Sequence, residues 1–204
     1  MSQLSKYKIS ISLIFFFLFL GTLEAQKKEV HVKWIDQKIT LDGELNEPAW
    51  IRAEPATDFW QYFPTDTLLS TSQTEIKMLY DDKYLYVGII VHSLGDDYIV
   101  PSLKRDFSAR GNDNINLLFD TYNDGANAFF FGTNPEGVQR EALISEGGSS
   151  YFNFKETWDV KWENASKVFE NYYIAEIKIP LSSFKFRDKE TVWRFNSYRF
   201  DLSL

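Results

Sequence analysis

Apolar and polar residues alternate with a period of two through most of the chain beyond Lys27, and no stretch sustains the 3.6-residue repeat of an amphipathic helix. Residues 38–41 predict an isolated strand that ends in Asp42-Gly43, and in 74–80, Ile76, Met78 and Tyr80 fall on one side. In 85–91, Leu85, Val87, Ile89 and Val91 do the same. Asp81, Asp82 and Lys83 separate the two runs, which predicts a pair of strands joined by a tight turn. Ile115, Leu117 and Phe119 mark the next strand, and Asn123, Asp124 and Gly125 supply residues that accept the positive φ of a hairpin. A strand returns over 128–133, Asn134-Pro135-Glu136-Gly137 turns the chain again, and 138–143 continues. After a Gly- and Ser-rich stretch, Trp158, Val160 and Trp162 alternate with Asp159, Lys161 and Glu163, predicting a strand there. Another runs over 172–179 and stops at Pro180, which cannot donate to a central ladder, and the last covers 193–200. So many short antiparallel strands predict an all-β fold, a two-sheet antiparallel β-sandwich of jelly-roll type. Its one helical element is a short turn near the N-terminus over 46–53: Asn46 is placed to cap it, Pro48 lies in the first turn, and Trp50 is its buried anchor.

The first 25 residues have a different character. Lys6 and Lys8 precede an apolar run over 9–20, and a small residue, Ala25, follows, in the order of a secretory signal peptide. That run of about 12 residues falls short of the roughly 20 needed to cross a bilayer, so cleavage after Ala25 is expected, with no transmembrane span left behind. The expected organisation is a signal peptide over 1–25 and one domain over 26–204, in a protein that is periplasmic, outer-membrane-associated or secreted. Cysteine is absent, which removes disulfides, thiolate metal sites and a lipoprotein anchor. Cleavage would take the chain from 22 basic and 29 acidic residues to 20 and 28, a formal charge of −8. That balance disfavours nucleic acid and acidic polymers as partners. Six Trp and ten of the eleven Tyr lie beyond residue 25 and leave the domain rich in amphipathic aromatics.

Several short motifs carry a family likeness. Leu41, Asp42, Gly43 and Glu44 are followed by Trp50; Ile76 to Tyr80 leads through Asp81-Asp82 into Leu85-Tyr86-Val87; Asp113 precedes an apolar strand; and Glu176 lies in a late strand with Ile177 and Ile179. In this order they resemble the family-9 carbohydrate-binding modules, over about 36–200. Arg105-Asp106-Phe107, Phe119-Asp120-Thr121-Tyr122, Asn134-Pro135-Glu136-Gly137 and Phe184-Lys185-Phe186 resemble more closely the N-terminal domains that precede outer-membrane β-barrels in Bacteroidota. Beside those proteins the chain, which reaches Leu204 without a barrel, reads as a shortened relative or a truncated product. The resemblance implies a non-catalytic module that binds an oligo- or polysaccharide, with a structural calcium as its one expected cofactor. The barrel-associated subgroup implies an alternative, an envelope domain that binds protein. In sugar-binding members two tryptophans sandwich the terminal sugar, and Arg110 stands where the first of those plates would be, just ahead of Asp113.

Candidate ligand-binding residues are therefore Arg110, Asp113, Arg105, Trp60, Tyr62 and Tyr151. Phe59, Trp60, Tyr62 and Phe63 form one aromatic cluster, and Tyr151, Phe152 and Phe154 a second; each suits either stacking on a sugar face or filling the sandwich. Arg105, Asp106 and Asp113 are expected to organise the loop ahead of the 115 strand, or Asp113 to fix Arg110 in a polar groove. Asp96, Asp97 and Asp113 are the calcium candidates. The Asp120–Gly125 turn lacks the third-position donor and the bidentate Glu of a helix-loop-helix calcium site, having Tyr122 and Phe131 there. Neither Ser145 nor Ser182 sits in a nucleophile elbow, and His31 and His92 have no recognisable catalytic partner, so no enzymatic activity is expected.

Overall fold

The computed structural model describes residues 28–187 and 192–202, so the expected signal peptide lies outside the described residues. In chain order the elements are β1 (Lys33–Trp34), α1 (Pro48–Arg52), β2 (Pro55–Ala56), β3 (Thr74–Tyr80), β4 (Tyr84–His92), β5 (Asn114–Asp120) and β6 (Ala128–Thr133). There follow β7 (Gln139–Ile144), β8 (Phe154–Lys155), β9 (Glu163–Phe169), β10 (Tyr172–Pro180) and β11 (Arg194–Phe200). One sheet runs β1-β3-β4-β10-β9 with β2 also on β3; the other runs β11-β5-β6-β7-β8. Every pairing is antiparallel except that of β1 with β3. This is the expected two-sheet sandwich with a short helical turn near its start.

The period-two pattern explains the packing. Ile76 and Met78 of β3, Leu85, Val87, Ile89 and Val91 of β4, Ile115, Leu117 and Phe119 of β5, and Ile177 and Ile179 of β10 point into one buried core between the sheets. Phe119, Phe129, Phe131 and Phe184 meet there mostly edge to face, with ring centroids 5.4–6.3 Å apart. A second, smaller cluster lies outside the six-stranded sheet, where Ile35, Ile39, Ala49 and Trp50 cover Leu79 and Tyr86. Gly88 of β4 makes room for it, since a Cβ there would stand 2.6 Å from a Leu45 methyl and 3.1 Å from the Trp50 ring. Trp50 is thus the buried anchor its position suggested.

Three local readings need correction. Asn46 does not cap α1: Glu47 occupies that position with no side-chain cap, and the Asn46 amide donates instead to Glu44. Residues 38–41 do not form a strand; the 42–43 turn is held by Glu176, whose Oε2 accepts the N–H groups of Asp42 and Gly43, each at 2.9 Å. The 158–162 segment is irregular rather than a strand, although Trp162 is buried and Trp158 packs against the core. The strand follows it as β9, whose Lys167-and-Glu163 edge carries little apolar alternation to read. Both hairpin turns took the chemistry expected of them, with positive φ at Asn123, Gly125 and Gly137.

Candidate functional site

Because Ile115, Leu117 and Phe119 face the core, Asn114 and Asn116 must face away from it. The register then builds a row across four strands on the outer side of the five-stranded sheet: Tyr198 opposite Asn116, Asn116 opposite Gly132, Gly132 opposite Arg140. Gly132 is the space in that row. A Cβ on it would stand 2.5 Å from Asn116 Oδ1 and 2.8 Å from Arg140 Cγ, so only glycine lets the Arg140 stem lie across the strand. The guanidinium is sunk among three rings, Phe130, Phe154 and Phe107, at 5.1, 5.4 and 5.6 Å from their centroids. Its Nη2 reaches Glu156 at 3.4 Å.

Polar atoms in this row are not all satisfied. Asn116 Nδ2 donates to Asn114 Oδ1 at 2.5 Å, and Asn114 Nδ2 donates to the carbonyls of Asn112 and Ala109 at 2.7 and 3.0 Å. Yet Asn116 Oδ1, Asn112 Oδ1 and Arg140 Nη1 are buried without a hydrogen-bond partner. An orphaned buried polar atom costs about 1–3 kcal/mol, so three on one face is a concentration that packing alone does not favour.

The loop over 100–113 covers one end of that face and holds a groove of about 480 Å³, lined by Pro101, Ser102, Lys104, Arg105, Asp106, Phe107, Ser108, Arg110 and Asn112. This volume falls within the roughly 300–1,000 Å³ of small-molecule sites. Arg105 fixes the loop. Its guanidinium donates to Gln139 and to the buried Glu141 of β7, with Asp159 at 3.4 Å. Glu141 also accepts the indole N–H of Trp162 at 3.2 Å; burial nonetheless pushes its carboxyl above the usual carboxylate range. Asp113 closes the other end of the loop, one oxygen accepting the N–H of Ile99 and the other that of Leu202, both at 2.6 Å. It does not pair with Arg110. Arg110 and Lys104 are exposed in the groove, and among the described residues neither side chain makes an ion pair or hydrogen bond.

The candidates thus separate. Arg105 and Arg110 come together in the groove, and Asp113 braces it from behind. Trp60 and Tyr62 lie elsewhere, 62% and 90% exposed with Phe63 and Leu68 on a loop closed by a bridge between Trp60 and Leu69. Phe59, from the same cluster, packs against the core instead. Tyr151 opens a 3₁₀ turn, and its side chain lies outside the described residues; its neighbour Phe152 is exposed, while Phe154 stacks edge-on to Phe130 at 4.8 Å. Asn112, Asn116, Arg140 and Tyr198 were not singled out from the sequence. The available signal was the pair of amides at outward positions of an otherwise apolar strand.

No group of three or more His, Cys, Asp or Glu side chains converges among the described residues, and both Asp113 oxygens are occupied by backbone donors.

The fold is shared with solved structures, two of them complexes with a sugar. A family 9 carbohydrate-binding module from Caldicellulosiruptor kristjanssonii, solved with glucose, superposes with a TM-score of 0.57 at 15% identity, over 83% of this chain and 78% of that one. The same organism's family 9 module in complex with cellotriose gives 0.56 at 16% identity, over 83% and 75%. A provisionally named carbohydrate-binding protein from Bacteroides uniformis ATCC 8492 gives 0.57 at 12% identity, over 82% and 81%. No curated protein matches the chain by sequence. Residues 41–203 match the carbohydrate family 9 binding domain-like family, and the chain accordingly belongs to that family of non-catalytic binding modules.

Proposed function

We propose that the chain binds an oligo- or polysaccharide, at the groove under the 100–113 loop and the adjoining outer face of the five-stranded sheet. The observation that carries this reading is the groove itself: donors from Arg110 and Lys104 stand at its surface, beside a buried Asn and Arg row with unpartnered atoms. Sugars are recognised by such convergent polar groups, and family membership supplies the ligand class. Export through residues 1–25 would deliver the module to the periplasm, outer membrane or medium, where polysaccharide is met. No helix among the described residues is long and apolar enough to cross a membrane. Affinity electrophoresis and a glycan array against xylan, cellulose and chitin oligosaccharides test the reading, with retarded migration on at least one polymer expected. Uniform free migration and a blank array would end it.

One observation favours the envelope protein-interaction reading, with the outer-membrane barrel proteins as its context. Trp60, Tyr62, Phe63, Leu68 and Leu69 are exposed on one loop, far more apolar surface than a solvated loop needs. A structural calcium at Asp96, Asp97 and Asp113 is a further proposal. A melting temperature that falls with chelator and returns with calcium would support it, and an unchanged one would remove it.

A further inference from the structure

We infer that the groove takes an acidic sugar unit, its carboxylate or sulfate ester held by Arg110 and Lys104; the inference rests on the glycan-binding reading and narrows its ligand class. Three observations point there. First, the groove offers no stacking plate: Phe107 is its only aromatic lining residue, and that ring is 4% exposed and committed to the Arg140 guanidinium. A neutral pyranose held by apolar contact would find no face to lie on. Second, the exposed cations are unspent. Arg105 is occupied by Glu141, Gln139 and Asp159, but Lys104 and Arg110 have no anionic partner within ion-pair distance among the described residues. The one carboxylate lining the groove, Asp106, is paired with neither. Third, Asn112 at the groove is 2% exposed and donates its amide N–H to the Ser108 carbonyl at 3.3 Å, while its Oδ1 has no partner. Cationic donors with an acceptor beside them match a ring that bears an anion and hydroxyls.

A guanidinium presents two parallel N–H groups in the plane that a carboxylate or sulfate oxygen pair requires. The overall negative balance of the chain does not oppose this. Charges more than about 8 Å away are largely screened at physiological salt, so the groove's own cations decide which ligands it attracts.

The test is titration calorimetry on the purified chain with three matched probes: trigalacturonate, the neutral galactose trisaccharide and a galactose 6-sulfate oligomer, each in 20 mM and 500 mM NaCl. An acidic probe is expected to bind about tenfold tighter than the neutral one at low salt, with the difference shrinking at high salt. Which acidic probe leads distinguishes carboxylate from sulfate. The Lys104→Ala, Arg110→Ala double variant, both positions being exposed, should keep its melting temperature and lose the acidic preference. Equal binding of neutral and acidic probes would overturn the inference and leave the glycan reading standing. Binding of none of the three probes, together with a blank glycan array, would remove both. An acidic preference that survives in the double variant would show that the site lies elsewhere.

Discussion

Arg110 and Asp113 stand three residues apart and do opposite work. Asp113 is 3% exposed and satisfies two backbone N–H groups, from Ile99 and Leu202, that join the groove loop to the end of the chain after β11. Asp113→Ala would orphan both donors, at a cost of about 2 kcal/mol or more, which for a domain of this size lowers the melting temperature by roughly 4–8 °C. Arg110→Ala removes an exposed side chain that makes no hydrogen bond or ion pair among the described residues, so its melting temperature should stay within about 1–2 °C of the parent while ligand affinity falls. A thermal melt of each variant beside its binding isotherm checks the pair. Strong destabilisation by Arg110→Ala with unchanged binding would strike Arg110 from the site. From the sequence the charged cluster at 105–113 could be located but not divided into roles. Arg105 and Asp113 find their partners 36 and 89 positions away, and no local pattern announces contacts at that separation. Arg140 was invisible for a related reason. Its neighbours Phe107, Phe130 and Phe154 come from the groove loop, β6 and β8, and only the tertiary fold brings them to one cation.

At the scale of elements, the strands with clean alternation were legible because one face of each is core. β4, β5 and β10 each carry three or four core apolar residues at spacing two and β3 and β6 two each, and a one-residue slip would take them all out of the core. β9 lies at a sheet edge, opposite β10 alone, and its half-exposed residues leave no such mark; the Trp158–Trp162 alternation just before it packs against the core without a ladder. Gly132 shows what the alternation conceals. In sequence it is an unremarked residue inside an aromatic strand, and in the fold it is the gap that admits Arg140. Gly132→Ala should force Asn116 and Arg140 apart and destabilise the domain by about 1–3 kcal/mol, as overpacking in a filled site does. The measurement is a urea unfolding curve, where the midpoint should fall without a change in slope. An unaltered midpoint would mean that the row across the outer face is looser than its distances imply.

Over the whole molecule, the segment that covers the six-stranded sheet is tied to it by apolar packing and, at the 42–43 turn, by one buried carboxyl. Glu176 is fully buried on β10, its Oε2 takes the N–H groups of Asp42 and Gly43, and its Oε1 has no partner. Burial outweighs those two hydrogen bonds, and the nearby Glu47 and Asp42 add to it, so the carboxyl is pushed up to about 7 from its ordinary 4.5. The sign of the consequence follows from linkage. A folded-state value above the unfolded one means that the native protein holds a proton the unfolded chain has released. The contribution to stability is therefore full below about pH 4.5 and is lost as pH rises through 7. At most this amounts to roughly 3 kcal/mol across the interval. The melting temperature should fall between pH 5 and pH 8, opposite to the trend set by carboxylates such as Asp81, whose backbone and Tyr86 hydrogen bonds hold it low. Glu176→Gln keeps an acceptor for Asp42 and Gly43 and removes the titration, so its melting temperature should lose that slope. Comparing parent and variant cancels every other ionising group in the chain. If the two slopes coincide, Glu176 is ionised in the fold throughout, and the buried carboxylate must be satisfied by something other than the two amides of the Asp42–Gly43 turn.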